Sequence, residues 1–199
     1  MLEAFYKTHN YLVDHVQVPA RRLLMDEINW NDRLIAIKGG RGVGKTDFLL
    51  NYAKELRTTN PELSKRTLYV NFNDFYFTEH SLVEFAGEFV AAGGHTLLID
   101  QAFKYPNWSR ELSQCYYNYK DLHIVFTASS VMRLVEDNKD LCSIVHPYNL
   151  RGFSFREYLN VTLGLKLPAY SLEEILHNHI DIAHRISQRI NPLDYFNDY

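Results

Sequence analysis

Long apolar runs are missing from this sequence. Runs such as those at residues 96–99 and 124–126 fall far short of the roughly 20 residues that cross a bilayer, so no membrane partner is expected. Cysteine is nearly absent. Cys115 and Cys142 are too far apart for a zinc-site spacing and too few for a disulfide framework. That points to a reducing, cytoplasmic setting. The N-terminal stretch MLEAFYKTHNYLVDH has no basic segment followed by an apolar one, so no secretory signal is expected. Charge of one sign is not in excess either, and a net charge of −3 carries no nucleic-acid footprint of its own. Repeats and low-complexity tracts are lacking as well.

What is present is the composition of a soluble globular protein, 46% hydrophobic and 23% charged. Its 199 residues fit one domain with a small appendage. An aromatic content of 14% suits either a bulky core or an adhesive surface. Residues 34–38, 67–72, 96–100 and 123–127 read as buried parallel strands, short and aliphatic or β-branched, with 148–150 a weaker fifth. Helix-period segments at 46–57, 81–92 and 108–119 alternate with them, which predicts a βαβ series around a parallel sheet. A helix over 19–29, with Pro19 at its start, precedes the first strand. Beyond residue 150 the pattern becomes helical: 154–163, a linker at 165–170, then a helix capped by Ser171. The closing DYFNDY reads as frayed, or as the point where a longer protein is cut.

Directly after the first strand comes Gly39-Gly40-Arg41-Gly42-Val43-Gly44-Lys45-Thr46, which fits G-x-x-x-x-G-K-[ST] between a strand and a helix. Glycines let consecutive backbone N–H groups turn toward phosphate oxygens. The helix that follows presents its positive end to the same anion. Lys45 adds a charge for the β- and γ-phosphates, and the Thr46 hydroxyl becomes a magnesium ligand. Asp100 ends the third predicted strand, where a phosphate-loop fold holds its magnesium through water.

The next residue is Gln101, where hydrolysis needs a carboxylate to orient the attacking water and take its proton. An amide can hold the water but not accept the proton. A general base contributes roughly 100- to 10,000-fold in rate, so tight binding with slow turnover is expected. Whether a glutamate was lost naturally or replaced stays open in the sequence. Thr127 or Ser129, at the end of the fourth strand, is expected to reach the γ-phosphate or the water; the 127–130 segment can also cap the next helix. Trp108 is expected to pack, with Asn107 capping its helix. Arg110, Arg133 and Arg156 are candidates to reach a neighbouring subunit's nucleotide, and Arg21 and Arg22 to border the base. His177, His179 and His184 have no carboxylate or cysteine to complete a metal set.

These pieces, in this order, resemble the AAA-type ATPase domain of a large group of bacterial and archaeal ATP-binding proteins. The resemblance covers about residues 11–159. It is carried by RLIAIKGGRGVGKTDFLL (33–50), LYVNFND (68–74), LLIDQAFKYPNWSRELSQCYYNY (97–119), IVFTASS (124–130) and LRGFSFREYL (150–159), the last being the most group-specific. The resemblance implies an α/β fold of three layers, a parallel sheet of about five strands in AAA-like order, and the start of a small helical lid. It implies a nucleotide-binding domain over 1–150 and a lid, or a linker to a further C-terminal domain, over 151–199. It also implies ATP (or ADP) with Mg²⁺ as the cofactors; no guanine-reading Asn-Lys-x-Asp occurs. Further copies of the chain, or a protein or DNA partner reached through a C-terminal domain, are the implied partners.

Three departures from the family pattern bear on activity. Gln101 stands where the family has glutamate, and Ala128 where it has glycine. Residues 140–144 read Asp-Leu-Cys-Ser-Ile, without the family's two arginines. An arginine supplied to the transition state is worth about 1,000- to 100,000-fold. An ATP-driven domain with slow hydrolysis is therefore expected, and the alternative is a scaffold in which ATP is a structural ligand.

Overall fold

The structure is a computed structural model, and it describes residues 1–129 and 139–199. In chain order the elements are α1 (Leu2–His15), α2 (Leu24–Glu27), β1 (Leu34–Gly39), α3 (Lys45–Thr59), α4 (Pro61–Lys65), β2 (Thr67–Asn71), α5 (Tyr76–Glu79) and α6 (Leu82–Ala91). There follow β3 (Thr96–Asp100), a 3₁₀ turn at Ala102–Lys104, α7 (Trp108–Asn118), β4 (His123–Ser129), β5 (His146–Asn149), α8 (Phe155–Leu163), α9 (Leu172–Ser187) and a second 3₁₀ segment at Pro192–Asp198. The chain divides into two compact units, one of residues 1–18 and 28–151, the other of 19–27 and 152–199.

The first unit is a five-stranded, all-parallel sheet in the order β2-β3-β4-β1-β5, the expected AAA-like arrangement. Its three central strands are buried along almost their whole length, which is why they read as unbroken aliphatic runs and not as alternating ones. Phe48 and Leu49 of α3, Phe85 and Phe89 of α6, and Leu112 of α7 close over the sheet with essentially no exposure. Trp108 is buried too, 5.9 Å from the Phe126 ring, so it packs as expected. Asn107 makes no side-chain cap to α7. Glu111 instead accepts from the Leu82 N–H at 2.7 Å and the Tyr105 hydroxyl at 2.8 Å.

One helix was not anticipated. α1 buries Phe5 and Val13, and Phe5 meets the rings of Tyr76, Phe77 and Phe85. Its His9 is buried and accepts a hydrogen bond from the Tyr69 N–H at 3.0 Å. β2 pairs only with β3 within the sheet, so this contact satisfies a donor on its open edge. Burial, then the nearby Arg57 cation, lowers the His9 pKa from 6.5 to about 4, against a smaller pull from Asp14.

The second unit is helical. The helix expected over 19–29 is present only as the single turn α2. The carboxylate of Glu157, buried on α8, explains the delayed start: it accepts from the Leu23 N–H at 2.9 Å and so caps the turn from outside. It also accepts from the Ser154 N–H at 2.8 Å and lies 3.4 Å from the Arg22 guanidinium. Burial alone would raise the Glu157 pKa, but these N–H groups and the Arg22 charge outweigh it and hold it low. Ser154 and Ser171 each complete a capping box, with Glu157 and Glu174. The final segment is not frayed: Phe196 lies 5.4 Å from Phe155, and the Tyr199 hydroxyl donates to the Phe153 carbonyl at 2.6 Å.

Two stability measurements check these contacts. Because the folded His9 pKa is depressed, the unfolded chain takes up this proton first as pH falls. Its contribution therefore drains away from about pH 6.5 to about pH 4 and then levels off, a loss of about 3 kcal/mol. His9→Gln keeps an acceptor for Tyr69 but does not titrate, so urea unfolding of the two proteins should diverge by that amount across that window. Glu157→Gln leaves one amide oxygen where two carboxylate oxygens collect donors, and should lower unfolding free energy by about 1–3 kcal/mol at neutral pH.

Candidate nucleotide site

At the carboxyl edge of the sheet β1 runs into the glycine loop. A Cβ on Gly39 would sit 2.5 Å from the Leu150 carbonyl oxygen, so the chain passes β5's exit only because residue 39 has no side chain. Gly44 takes φ +88° as the N-cap of α3, a conformation that turns the loop back into the helix. Lys45 lies across the loop, its Nζ donating to the carbonyls of Gly39 at 2.9 Å and Gly40 at 2.7 Å. Burial lowers the Lys45 pKa, and the Asp100 carboxylate partly offsets that.

Asp100, at the end of β3, is buried and accepts four hydrogen bonds. Its Oδ2 takes the Thr46 hydroxyl of α3 at 2.7 Å and the Tyr69 hydroxyl of β2 at 3.0 Å. Its Oδ1 takes the Thr127 hydroxyl of β4 at 2.6 Å and the Gln101 N–H at 3.0 Å. The Gln101 N–H is shared with the Thr127 oxygen at 2.8 Å. Burial, followed by the adjoining Asp100 charge, keeps the Tyr69 hydroxyl protonated by raising its pKa.

Gln101 is the only described residue other than glycine with positive φ, at 56°. That left-handed conformation costs about 1–3 kcal/mol in an L-residue and turns the chain out of β3 into the 3₁₀ turn at Ala102–Lys104. Its side-chain Oε1 accepts from the Asn73 Nδ2 at 2.7 Å. Ala128 needs no glycine in this structure. It continues β4 in register with Lys38, is buried, and is not among the positive-φ residues.

These groups line a cleft of about 650 Å³. Of the residues expected at the site, Gly39, Arg41, Gly42, Gly44, Lys45, Thr46, Asp100, Gln101, Thr127 and Ser129 all line it. Gly40 and Val43 do not; Gly40 turns its carbonyl to Lys45. Asp47, Phe103 and Lys104 also line the cleft and were not anticipated, nor were Tyr69 and Asn73 behind it. Tyr69 lies two residues before Asn71, the register partner of Asp100, and so shares its face of β2. That signal is readable only once β2 is known to lie beside β3.

The remaining candidates lie elsewhere. Within the second unit Arg21 pairs with Asp26, Arg22 with Glu157 and the Gly152 carbonyl, and Arg156 with the Leu167 carbonyl. Arg110 is exposed on α7, while Ser130 and Arg133 fall outside the described residues. His177, His179 and His184 are exposed on α9, and no group of three or more His, Cys, Asp or Glu suited to a metal occurs among the described residues. The donor set at Thr46 and Asp100, one hydroxyl and one carboxylate, suits a hard cation that keeps most of its water, as magnesium does, and not zinc.

Comparison with known proteins places this geometry. The chain is 26% identical over 178 residues to the uncharacterized protein MJ1637 of Methanocaldococcus jannaschii, covering 83% of this chain and spanning 36% of that relative's length. Among solved structures it is similar to PCH-2 of C. elegans, with a TM-score of 0.46, 20% identity, and coverage of 76% of this chain and 43% of the other. Domain III of the Thermotoga maritima replication initiation protein DnaA matches with a TM-score of 0.46, 17% identity, and coverage of 83% and 71%. AMPPCP-bound DnaA from Aquifex aeolicus gives 0.44, 16% identity, and coverage of 94% and 60%. The AAA domain family model matches residues 31–159, from ahead of β1 into α8, and the chain belongs to that nucleotide-binding family.

Proposed function

We propose that the cleft binds ATP together with Mg²⁺, that the bound nucleotide drives a conformational or oligomeric change, and that hydrolysis by this sequence is slow. The observation that carries this reading is the convergence of the Lys45 ammonium, the Thr46 hydroxyl and the Asp100 carboxylate on one cleft behind a glycine loop. In it the loop N–H groups and Lys45 hold the phosphates, with Gly39, Gly40, Arg41, Gly42, Val43 and Gly44 shaping the cradle. Thr46 and Asp100 hold the magnesium, which supplies charge neutralisation between the β- and γ-phosphates. Thr127 fixes Asp100, and Ser129 faces the γ-phosphate from the end of β4. ATP over GTP rests on the family resemblance.

Slow turnover rests on Gln101. It has no carboxylate to take a proton from water, and its Oε1 is already engaged by Asn73. That engagement also supports a second reading, in which ATP is a structural ligand and partner binding is the function. Further copies, or a protein or DNA partner held by additional chain, are the setting in which either would act. Cys115 and Cys142 as free thiols fit a cytoplasmic location for it. No helix among the described residues is long and apolar enough to cross a membrane.

A thermal melt with Mg-ATP tests the binding. At 100 times its dissociation constant, ATP should add about 2.7 kcal/mol, a rise of roughly 5–10 °C for a chain of this size. Lys45→Ala should abolish the rise, and no rise with the unaltered protein would refute the proposal. Phosphate release then separates the two readings. Gln101→Glu should raise turnover roughly 100- to 10,000-fold if only the base is missing. An unchanged rate beside an intact ATP shift would favour the structural-ligand reading.

A further inference from the structure

We propose that Lys104 contacts the γ-phosphate, so that one lysine lets this cleft tell a nucleoside triphosphate from a diphosphate. The inference rests on the nucleotide reading of the cleft. Lys104 ends the 3₁₀ turn that follows β3, and its neighbours fix that turn on both sides. The Gln101 N–H is tied to Asp100 and Thr127. Ala102 is buried, and so is Tyr105, whose hydroxyl donates to Glu111 at 2.8 Å. The Lys104 N–H closes the turn by donating to the Gln101 carbonyl at 2.9 Å. Phe103 and Lys104 are left exposed between these anchored residues, and both line the cleft.

Position and charge assign the ligand. The charged side chains lining the cleft are Arg41, Lys45, Lys104, Asp47 and Asp100. Arg41 and Lys45 belong to the glycine loop and the start of α3, the segment that cradles phosphates. Lys104 comes instead from the turn after Asp100 and Gln101. Magnesium held by Thr46 and Asp100 bridges the β- and γ-phosphates, and Gln101 stands where the attacking water is expected. A side chain that follows Gln101 in the same turn therefore approaches the terminal phosphate. Lysine binds phosphate as a point charge on a flexible four-carbon stem. The Lys104 ammonium lies 5.7 Å from the centre of the Phe103 ring and forms no ion pair among the described residues. Lys104 also borders a second cavity of about 540 Å³, where Glu79 supplies the carboxylate. Phe103 lines the cleft and not that cavity, so the ammonium rests on the cleft side. A γ-phosphate meets there a cation with no carboxylate to give up, and ADP has no phosphate to offer it.

Calorimetric titration with Mg-AMPPCP and Mg-ADP tests this, since only the first carries a γ-phosphate. Lys104→Met keeps the apolar stem and removes the charge. It should weaken Mg-AMPPCP about tenfold or more, the scale of one hydrogen bond to a charged group, and leave Mg-ADP within about twofold. Lys104→Arg restores the charge and should recover most of the lost affinity. Because misfolding would cost both ligands alike, the diphosphate is the control for an intact cleft. Unchanged binding of Mg-AMPPCP by Lys104→Met would overturn the proposal, and so would an equal loss of both nucleotides. Failure of the unaltered protein to bind either nucleotide would instead overturn the nucleotide reading itself, and this inference with it.

Discussion

A carboxylate removed from water has to be met by donors, and around Asp100 those donors come from four different parts of the chain. Thr46 reaches it from the helix after the glycine loop, Tyr69 from the edge strand, Thr127 from the neighbouring strand, and the Gln101 N–H from the turn that follows. An ion in low dielectric left with any of these unmade is costly, so the carboxylate holds its surroundings in one arrangement. The positive φ of Gln101 turns the chain into the following 3₁₀ turn directly after this N–H, which Asp100 and Thr127 share.

The sheet order makes this convergence achievable. β1, β3 and β4 lie side by side in the middle of the sheet, so their carboxyl ends open on one cleft. β2 crosses to the far side of β3, and a tyrosine on it still reaches Asp100 because alternate residues share a face. That crossing leaves β2 as an edge, and α1 with its neutral His9 closes part of it. Electrostatics are therefore settled twice in the first unit: by donors around a buried anion, and by desolvation that keeps a buried imidazole uncharged.

Much of the fold was legible because buried parallel strands and amphipathic helices write different periods into the chain. The four stronger strand segments appear within two residues of their expected ends, and β5 appears shifted toward its start. The phosphate-loop spacing placed Lys45 and Thr46 without ambiguity, since strand, glycine turn and helix are contiguous in sequence. Less legible were elements stabilised by distant contacts. α1 has ordinary helical residues, and nothing in them announces that His9 would accept a bond from an edge strand. The helix expected over 19–29 starts only at Leu24, where a carboxylate far along the chain, Glu157, takes the Leu23 N–H.

The sequence by itself determined the local chemistry of this protein: the anion cradle at residues 39–46, an aspartate at a strand end, and an amide in place of a base at Gln101. These follow from residue type and short spacing, which act over a single turn or strand. Only the tertiary structure decided that Tyr69 joins Asp100, that Asn73 holds the Gln101 amide, and that Lys104 lines the cleft. Such contacts depend on strand order and on which face an element buries. Neither is encoded within any one segment, because each is settled by the competition among all segments for the same buried surface.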